Sequence, residues 1–381
     1  MRARCPRRPP LVGLAAFILL IGTATLAVSG AAGASSARLP RRQSVERSVG
    51  RRQFRNPVLG QGQDPSVVVW HGWYYFTQSS PNASQISVRR ARSIKTLAAA
   101  KRVIVWTGGL RRSPCCDWWA PELHRIEGRW YIYTAADNGA NANHRLQVLE
   151  AARPLGPYRY VGQLGTPGNH WSIDPSPLVL PNGHLYLFWS GWPGSTNGMQ
   201  DIYIARLKNP TTITGPRVEL SRPTYPWERH AGTVGVYVNE SPEPIVHGHT
   251  VSVTYSASGC WTPYYSLGLL SAHLGADLMR RSSWTKRATP LFSSNVRQDI
   301  YGPASNGWFT SPNGKQTWIV FHAVTNRTGS CGSDRMVYAQ PVRWSPAGTP
   351  ELGGEPRSRA RVWNVPAGDP GALSKRTRPG S

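Results

Sequence analysis

Residues 63–78 read QDPSVVVWHGWYYFTQ, in which alternating β-branched and aromatic residues stand on both sides of a His-Gly pair. A short polar turn that contains glycine, between two such runs, is typical of a tight β-hairpin. Proline is tolerated at the first positions of a strand, so Pro65 is compatible with this reading. The stretch therefore predicts a hairpin whose first strand begins near Asp64.

The same pattern recurs four more times along the chain. The further copies are WAPELHRIEGRWYIYTA (119–135), IDPSPLVLPNGHLYLFWS (173–190), NESPEPIVHGHTVSVTYS (239–256) and GPASNGWFTSPNGKQTWIVFH (302–322). The prolines near the start of the five blocks are 54 to 67 residues apart, a period that suits a unit of four strands.

Each hairpin is followed by a third strand-like run, and short apolar pieces such as 103–106 could supply fourth strands. The third runs are 86–92, 146–151, 201–207, 265–273 and 335–342. Sustained helical periodicity is hard to find between them. We therefore predict an all-β fold, a five-bladed β-propeller of four-stranded blades. Tandem β-sandwiches are the alternative, although they do not require five hairpins at the same position in each unit.

The charge of the chain is unevenly distributed. Its 381 residues carry 44 Lys and Arg against 19 Asp and Glu, a net charge of +25. Residues 1–55 hold +10 of this excess and residues 356–381 hold +5. Nucleic-acid binding is the function that such a charge first suggests, but no RNA- or DNA-binding motif is recognisable. With 40% hydrophobic residues the chain can fill a core, which excludes wholesale disorder.

The N-terminus has the pattern of an export signal. A basic segment (1–10) precedes an apolar stretch (11–28) and the cleavage-site sequence Ala-Gly-Ala at 32–34. A membrane anchor is the alternative, since 18 apolar residues are just enough to span a bilayer. We predict a signal peptide over 1–34, a basic disordered linker over 35–55, the propeller over 56–355 and a basic, disordered tail over 356–381. The sequence does not distinguish Sec from Tat export.

Four cysteines remain outside the signal: Cys115, Cys116, Cys260 and Cys331. An even number in an exported chain permits two disulfides. A bridge between adjacent Cys115 and Cys116 needs a strained ring, so we expect each to pair with one of the two distant cysteines. Zinc is the alternative ligand of four thiols, but the chain has no Cys-x-x-Cys pair.

Three blocks carry an acid just before the first strand. Asp64, Asp174 and Glu240 lie eight or nine residues before the glycine of their hairpin turn. Pro65 and Pro175 are expected to hold the preceding aspartates in an extended conformation. We predict that the three carboxylates occupy equivalent positions and converge on the propeller axis. The alternative is that each caps a local turn.

A carboxylate cluster among tryptophans, in an exported chain, suggests glycoside hydrolysis. That reaction uses one protonated carboxyl group and one carboxylate, and a third carboxylate can keep the first protonated. Trp118, Trp119, Trp192 and Trp261 lie near block starts or loops. We select Trp119 and Trp261 as substrate-binding residues, while packing in the core is the alternative for each tryptophan.

At these residues the sequence resembles the family 43 glycoside hydrolases, and among them the enzymes that remove terminal α-L-arabinofuranosyl units. The matching stretches include GQGQDPSVVVWHGWYYFTQ, WAPELHRIEGRWYIYTAA, SIDPSPLVLPNGHLYLFWSGW and VNESPEPIV, and they run from about residue 56 to 343. The resemblance implies a five-bladed propeller and an inverting mechanism. It makes Asp64 the general base, Glu240 the general acid and Asp174 the residue that tunes and orients the acid. The base and acid carboxyl groups are then expected roughly 6.5–9.5 Å apart.

The resemblance also implies a substrate and a location. We expect a secreted monomer that acts on arabinose-containing plant cell-wall polysaccharides or oligosaccharides (arabinan or arabinoxylan side chains), with no nucleic-acid partner and no membrane after signal cleavage. The basic tails could hold it to the cell wall. The alternatives are an endo-arabinanase or β-xylosidase of the same fold, or a propeller that only binds carbohydrate. A retaining fructan enzyme does not fit, because Gln63-Asp64-Pro65-Ser66 stands where its Asn-Asp-Pro-Asn motif belongs.

Three departures from the family pattern affect the site. The family's fifth blade carries a Gly-Pro-Gly-His stretch whose histidine helps to hold a central calcium ion, and this chain has Gly302-Pro303-Ala304-Ser305 instead. His322 still matches a later strand. We therefore predict no metal ligands and no certain cofactor, and calcium only as an alternative. Ser241 replaces a family glycine beside Glu240, and Asp174-Pro-Ser replaces Asp-Gly-Thr.

Overall fold

The computed structural model describes residues 50–371. The predicted signal peptide (1–34), most of the predicted linker and the last ten residues of the predicted tail lie outside the described residues. No helix among the described residues is long and apolar enough to cross a membrane.

The described chain is built almost entirely from antiparallel strands that follow one another in sequence. The first sheet contains β2 (Gln63–Trp70), β3 (Trp73–Ser79), β4 (Gln85–Ala91) and β5 (Arg102–Thr107). The second contains β6 (Cys116–Ile126), β7 (Arg129–Asp137), β8 (Arg145–Ala151) and β9 (Arg159–Gln163).

The third sheet is larger. Its first half contains β10 (Ser172–Val179), β11 (Leu185–Gly191), β12 (Met199–Asn209) and β13 (Thr212–Ser221). Its second half contains β14 (Tyr237–His247), β15 (Thr250–Ala257), β16 (Ser266–His273) and β17 (Thr285–Lys286). A short parallel pairing of β12 with β14 joins the two halves. The last sheet contains β18 (Tyr301–Thr310), β19 (Thr317–Val324) and β20 (Met336–Pro341).

The remaining elements are short. Two strand pairs lie outside these sheets: β1 (Gln53–Phe54) with β23 (Trp363–Asn364), and β21 (Arg343–Trp344) with β22 (Pro350–Glu351). Within residues 50–371, six single-turn 3₁₀ helices connect strands: Ile94–Thr96, Asn141–Asn143, Pro226–Glu228, Gly232–Val234, Arg281–Ser283 and Val296–Gln298.

The all-β class and the five hairpins are confirmed. Strands β2–β3, β6–β7, β10–β11, β14–β15 and β18–β19 pair as antiparallel hairpins in the five predicted blocks. The third strand of each block is present as β4, β8, β12, β16 and β20. The piece 103–106 is a fourth strand, since it lies within β5.

Apolar side chains hold neighbouring sheets together face to face. Tyr75 of the first sheet packs against Trp130 of the second, with ring centroids 5.7 Å apart. The last sheet packs in the same way against the first, because Tyr74 meets Phe309 edge to face at 5.8 Å. Both contacts belong to large clusters of buried residues. The first and last sheets of the chain are therefore spatial neighbours.

The prediction of a disordered tail is wrong for its described part, 356–371, and the predicted linker is ordered over 50–55. Strand β23 pairs with β1, which ties the two ends of the described chain together. Asp369 is fully buried and accepts hydrogen bonds from the backbone N–H groups of Ile94 and Gly371. The prediction of disorder rested on the basic composition of the tail, which does not indicate these few apolar and hydrogen-bonding contacts.

The predicted disulfide pairing is also wrong. Cys115 pairs with its neighbour Cys116, and Cys260 pairs with Cys331 across 71 residues. Cys260 follows β15 and Cys331 precedes β20, and their Cα atoms are 5.2 Å apart, within the usual range for a disulfide. Because Cys260 and Cys331 form a disulfide with each other, Cys115 and Cys116 have no other cysteine within the described residues to pair with.

Candidate active site

The first strand of every hairpin contains a bulge, and the candidate acids lie at these bulges. Strand pairing shifts register near the start of each strand, and the shift closest to the hairpin turn contains a non-glycine residue with a positive φ. These residues are Asp64 (51°), Ala120 (43°), Asp174 (53°), Ser241 (49°) and Ser305 (46°). The expectation of extended aspartates before Pro65 and Pro175 is therefore wrong, because the bulge imposes a left-handed conformation that Asp tolerates better than most residues.

Glu240 is one position out of step with the two aspartates. Glu240 and Gln63 are each the last paired residue before the bulge of their strand, so Glu240 is equivalent to Gln63 and Ser241 is equivalent to Asp64. Glycine is the second residue of the two-residue turn after β2 (Gly72), whereas it is the first after β14 (Gly248). An alignment on the turn glycines was thus wrong by one residue for Glu240. The structure nevertheless brings Asp64, Asp174 and Glu240 to one cavity.

Asp64 contacts four side chains: one at the end of β3, one in β18, one in β19 and one just before β20. The hydroxyl of Ser79, at the end of β3, donates to Oδ2 at 2.6 Å, and that of Ser305 in β18 donates to Oδ1 at 2.9 Å. Nη1 of Arg335 and Nδ1 of His322 each lie 3.6 Å from Oδ1. The carboxylate therefore accepts two hydroxyl hydrogen bonds and lies close to the positive charge of Arg335.

These contacts decide the ionisation of Asp64. Burial raises the pKa of the carboxyl group, but Arg335, His322 and the two serine hydroxyls together outweigh it and hold the pKa below the usual 3.8. Burial, with Arg335 nearby, lowers the pKa of His322 to about 3, so its imidazole is neutral near pH 7. Asp64 is consequently a carboxylate over the whole physiological pH range, as a proton acceptor must be.

Glu240 has the opposite character. Burial, opposed by a hydrogen bond from Tyr265 and assisted by the charge of Asp64, raises the pKa of Glu240 to about 7. The Tyr265 hydroxyl donates to Oε1 at 2.7 Å. The side chain can therefore carry a proton at mildly acidic pH, where an exposed glutamate has lost it. One cavity thus contains a carboxylate and a carboxylic acid.

Asp174 lies deeper and contacts the backbone next to Glu240. Its Oδ2 accepts from the N–H of Ser241 at 3.0 Å and from the hydroxyl of Ser241 at 3.2 Å. The pKa of Asp174 is raised well above its usual value by burial, by Glu240 and by Asp64. Asp174 and Glu240 together therefore retain a proton that isolated carboxyl groups would release.

Two serines connect the aspartates. The Ser305 hydroxyl, bonded to Asp64, lies 3.2 Å from the Ser241 hydroxyl, which bonds to Asp174. Both serines lie at strand bulges. Ser305 stands where the family pattern has a histidine, and Ser241 stands where it has a glycine. These two substitutions provide the hydroxyl groups that connect the carboxyl groups of Asp64 and Asp174.

The cavity has a volume of about 450 Å³ and an aromatic wall. Trp119 and Trp261, the predicted substrate-binding residues, both line it, as does Trp171. Trp118 does not, because its side chain is fully buried against Trp106. Trp192 lies behind Trp171, with the two rings stacked at 5.0 Å. The cavity therefore combines ionisable groups with aromatic surface, as sugar sites do.

A second pair of carboxyl groups lies next to the first cavity. Glu122 and Glu243 line a small pocket that Asp64 and Asp174 also line. Burial and the neighbouring Glu122 raise the pKa of Glu243 well above its usual value. In residues 50–371 no three His, Cys, Asp or Glu side chains are grouped so that they could hold a metal ion. Since Ser305 also stands where the family pattern has a histidine, these residues do not fit a central calcium site.

Comparison with models of known protein families shows to which family the chain belongs. A model of the glycosyl hydrolases family 43 matches residues 54–350, most of the chain and nearly all of its described part. The chain belongs to glycosyl hydrolase family 43.

Relatives within family 43 carry names for one activity. An "extracellular exo-alpha-(1->5)-L-arabinofuranosidase" of Streptomyces avermitilis is 37% identical over 309 residues. "Alpha-L-arabinofuranosidase 43" of Humicola insolens is 36% identical over 309 residues. Each alignment covers 79% of this chain and 63% of the relative, so the chain spans less than two thirds of their length.

Solved structures of family 43 members share the fold. The α-L-arabinofuranosidase from Lactobacillus brevis superposes with a TM-score of 0.73 at 31% identity, over 80% of this chain and 98% of that one. The endo-arabinase from Bacteroides thetaiotaomicron superposes with a TM-score of 0.61 at 20% identity, over 75% of this chain and 95% of that one. The second likeness concerns the fold alone.

Tyr265, Arg335 and Ser305 are among the residues of this family 43 site that were not predicted from the sequence. Tyr265 and Arg335 immediately precede the third strands β16 and β20. The start of a third strand lies at the same end of the sheet as the bulge of the first strand. The first residue of each predicted third run was therefore the signal that could have identified Tyr265 and Arg335. Ser305 could have been found by its place beside the fifth block's proline.

Proposed function

We propose that the chain is a secreted, inverting glycoside hydrolase that releases terminal α-L-arabinofuranosyl residues from arabinan, arabino-oligosaccharides or arabinoxylan side chains. The observation that carries this proposal is the opposed ionisation of two carboxyl groups in one cavity: the pKa of Asp64 is lowered and that of Glu240 is raised to about 7. Family membership and the names of the relatives support the choice of sugar.

In this mechanism Asp64 is the general base. It removes a proton from a water molecule, whose oxygen attacks the anomeric carbon from the side opposite the leaving group. The donors around Asp64 orient its carboxylate, and the neutral His322 accepts a hydrogen bond from the Asp64 backbone N–H at 3.2 Å. Attack from the opposite side inverts the anomeric configuration.

Glu240 is the general acid that protonates the leaving glycosidic oxygen. Asp174 orients the Glu240 segment through Ser241 and helps to retain the proton, since like charges disfavour a second ionisation. Trp119 and Trp261 present ring faces to the sugar. The pathway moves one proton from water to Asp64 and one from Glu240 to the leaving alcohol.

The architecture belongs to the same proposal. We infer five blades, one for each hairpin, with the third sheet comprising two blades joined at β12 and β14. The packing of the last sheet on the first favours a closed ring. We take 56–355 as the catalytic propeller, preceded by a signal peptide and linker and followed by the tail. The substrate partner is an arabinose-containing cell-wall polysaccharide met outside the cell, and the protein acts as a monomer. The excess of basic residues at both ends would favour adhesion to an anionic cell wall.

Product analysis tests the function. Wild type is incubated with α-1,5-linked arabino-oligosaccharides beside Asp64→Ala and Glu240→Ala, and products are separated by chromatography. Wild type should release arabinose as the first product, while both variants should be nearly inactive. Internal cleavage would instead favour an endo-arabinanase, and exclusive release of xylose from xylo-oligosaccharides a β-xylosidase. Equal activity in all three proteins would contradict the mechanism, and binding without hydrolysis by wild type would make the protein a binding module.

A further inference from the structure

A second groove adjoins the cavity and shares Trp261 with it. The groove has a volume of about 660 Å³ and is lined by residues 229–233, Gly235, Tyr237, residues 261–264 and Thr328. Trp261 is the residue that lines both spaces. Trp261 therefore separates the groove from the cavity.

Trp261 is a rigid partition between the two spaces. Its indole N–H donates to the carbonyl oxygen of Ala231 at 2.7 Å. The ring lies directly on the backbone of Gly259, where an added Cβ would be 2.3 Å from a ring carbon. The disulfide of Cys260 fixes the preceding residue. The indole therefore keeps one orientation, which is a requirement for a shared wall between adjacent binding positions.

The groove offers further aromatic surface. The Tyr264 side chain is 55% exposed, and its ring stacks on His230 with centroids 4.0 Å apart. The guanidinium group of Arg229 lies 4.4 Å from the ring centroid of Tyr237. A single exposed aromatic residue needs no explanation, but these supported rings line a concave surface beside a sugar cavity. Stacking limits their motion before any ligand arrives, which reduces the entropy lost on binding.

The chemistry of the groove fits a neutral sugar chain. Its lining contains no aspartate or glutamate, and it provides hydrogen-bond donors from Arg229, His230 and Thr233. Sugar rings present C–H faces that pack on aromatic rings and hydroxyl groups that bond to such donors. We propose that the groove binds the arabinosyl units that follow the unit being released, so that the enzyme favours longer chains. This proposal rests on the proposed function.

The test compares substrates of different length. Values of kcat/KM are measured for 4-nitrophenyl α-L-arabinofuranoside and for α-1,5-linked arabinohexaose in wild type, Tyr264→Ala and Thr233→Trp, the last of which narrows the groove. Each variant should lower the ratio of the hexaose value to the aryl-glycoside value by roughly three- to tenfold, the size expected for one aromatic contact. The control is Trp344→Ala, because Trp344 stacks on His247 at the opposite end of β14 from Glu240. Its ratio should equal that of wild type.

Binding separates this proposal from the catalytic one. Arabinohexaose is titrated into Glu240→Gln with and without Tyr264→Ala, and the second substitution should weaken binding by a similar factor. An unchanged kcat/KM ratio in both groove variants, or unchanged hexaose binding after Tyr264→Ala, would overturn the proposal that the groove binds the chain. If wild type hydrolyses neither substrate the proposed function fails, and the titration still decides whether the groove binds the chain.

Discussion

The hydroxyl group of Tyr265 donates a 2.7 Å hydrogen bond to Oε1 of Glu240. This bond stabilises the ionised form of Glu240, whereas burial and the charge of Asp64 stabilise the protonated form. The balance leaves the pKa of Glu240 at about 7, which is close to the pH at which a general acid is most effective. Tyr265 thus limits how far burial raises the pKa of the acid.

The pH dependence of kcat/KM should have two unequal limbs. In the proposed mechanism, activity requires ionised Asp64 and protonated Glu240. Because the pKa of Asp64 is below 3.8 and that of Glu240 is about 7, activity should persist through mildly acidic pH and fall as pH rises through about 7. Initial rates with arabinobiose at low substrate concentration would measure this profile. A basic limb near pH 4.5, the ordinary range of glutamate, would disagree with it.

Replacing Tyr265 by Phe should move the basic limb. Loss of the hydrogen bond removes a contribution that lowers the pKa of Glu240, so the limb should shift to higher pH. Tyr160→Phe is the matched control, because its hydroxyl bonds to Gln147 in the second sheet. A shift to lower pH in Tyr265→Phe, or an equal shift in both variants, would argue against the assigned contact.

Substitutions of the proposed base, Asp64, and the proposed acid, Glu240, should differ in how strongly their effect depends on the leaving group. Glu240→Gln should lower kcat/KM on arabinobiose by roughly 10²–10⁴-fold, and much less on 4-nitrophenyl α-L-arabinofuranoside, whose leaving group needs no proton. Asp64→Asn should reduce both rates strongly, because every substrate needs the activated water. Glu127→Gln, at an exposed hairpin turn, is the control. Equal losses on both substrates in Glu240→Gln would contradict its role as the acid.

The two disulfides should contribute unequally to stability. The Cys260–Cys331 bridge closes a loop of 71 residues, and the chain-entropy argument gives about 4 kcal/mol for a loop of that size. Cys115–Cys116 closes almost no loop. Denaturant unfolding should therefore show a large loss for the Cys260→Ala/Cys331→Ala protein and a small one for Cys115→Ala/Cys116→Ala. The reverse order would be inconsistent with the observed pairing.

The ordered part of the C-terminal segment should stabilise the fold through Asp369. Its carboxylate is buried and accepts backbone hydrogen bonds from Ile94 and Gly371, so Asp369→Ala leaves these donors without a partner. The expected loss in the free energy of unfolding is about 1–3 kcal/mol. The exposed Glu355→Ala serves as control. Equal stability of the two variants would mean that the segment contributes little.

The sequence was most informative in the hairpins, where the two-residue alternation of side chains determines the structure. Alternation around the turns identified all five hairpins, and it led to Asp64 and Asp174. It was less reliable at Glu240, because a bulge and a displaced turn glycine change the register by one residue without changing the alternation. Tyr265 and Arg335 reach the cavity from neighbouring strands, and contacts between sheets leave no periodic signal. The disulfides were missed for the same reason, since pairing depends on which loops meet.

The stereochemistry of the first product tests the central claim most directly. In the proposed mechanism Asp64 activates water, Glu240 protonates the leaving oxygen and no covalent sugar intermediate forms. Proton NMR during the first minutes of arabino-oligosaccharide hydrolysis distinguishes the anomers before they interconvert. The account predicts that arabinose appears first as the β-anomer, inverted from the α-linkage, and initial appearance of the α-anomer would contradict it.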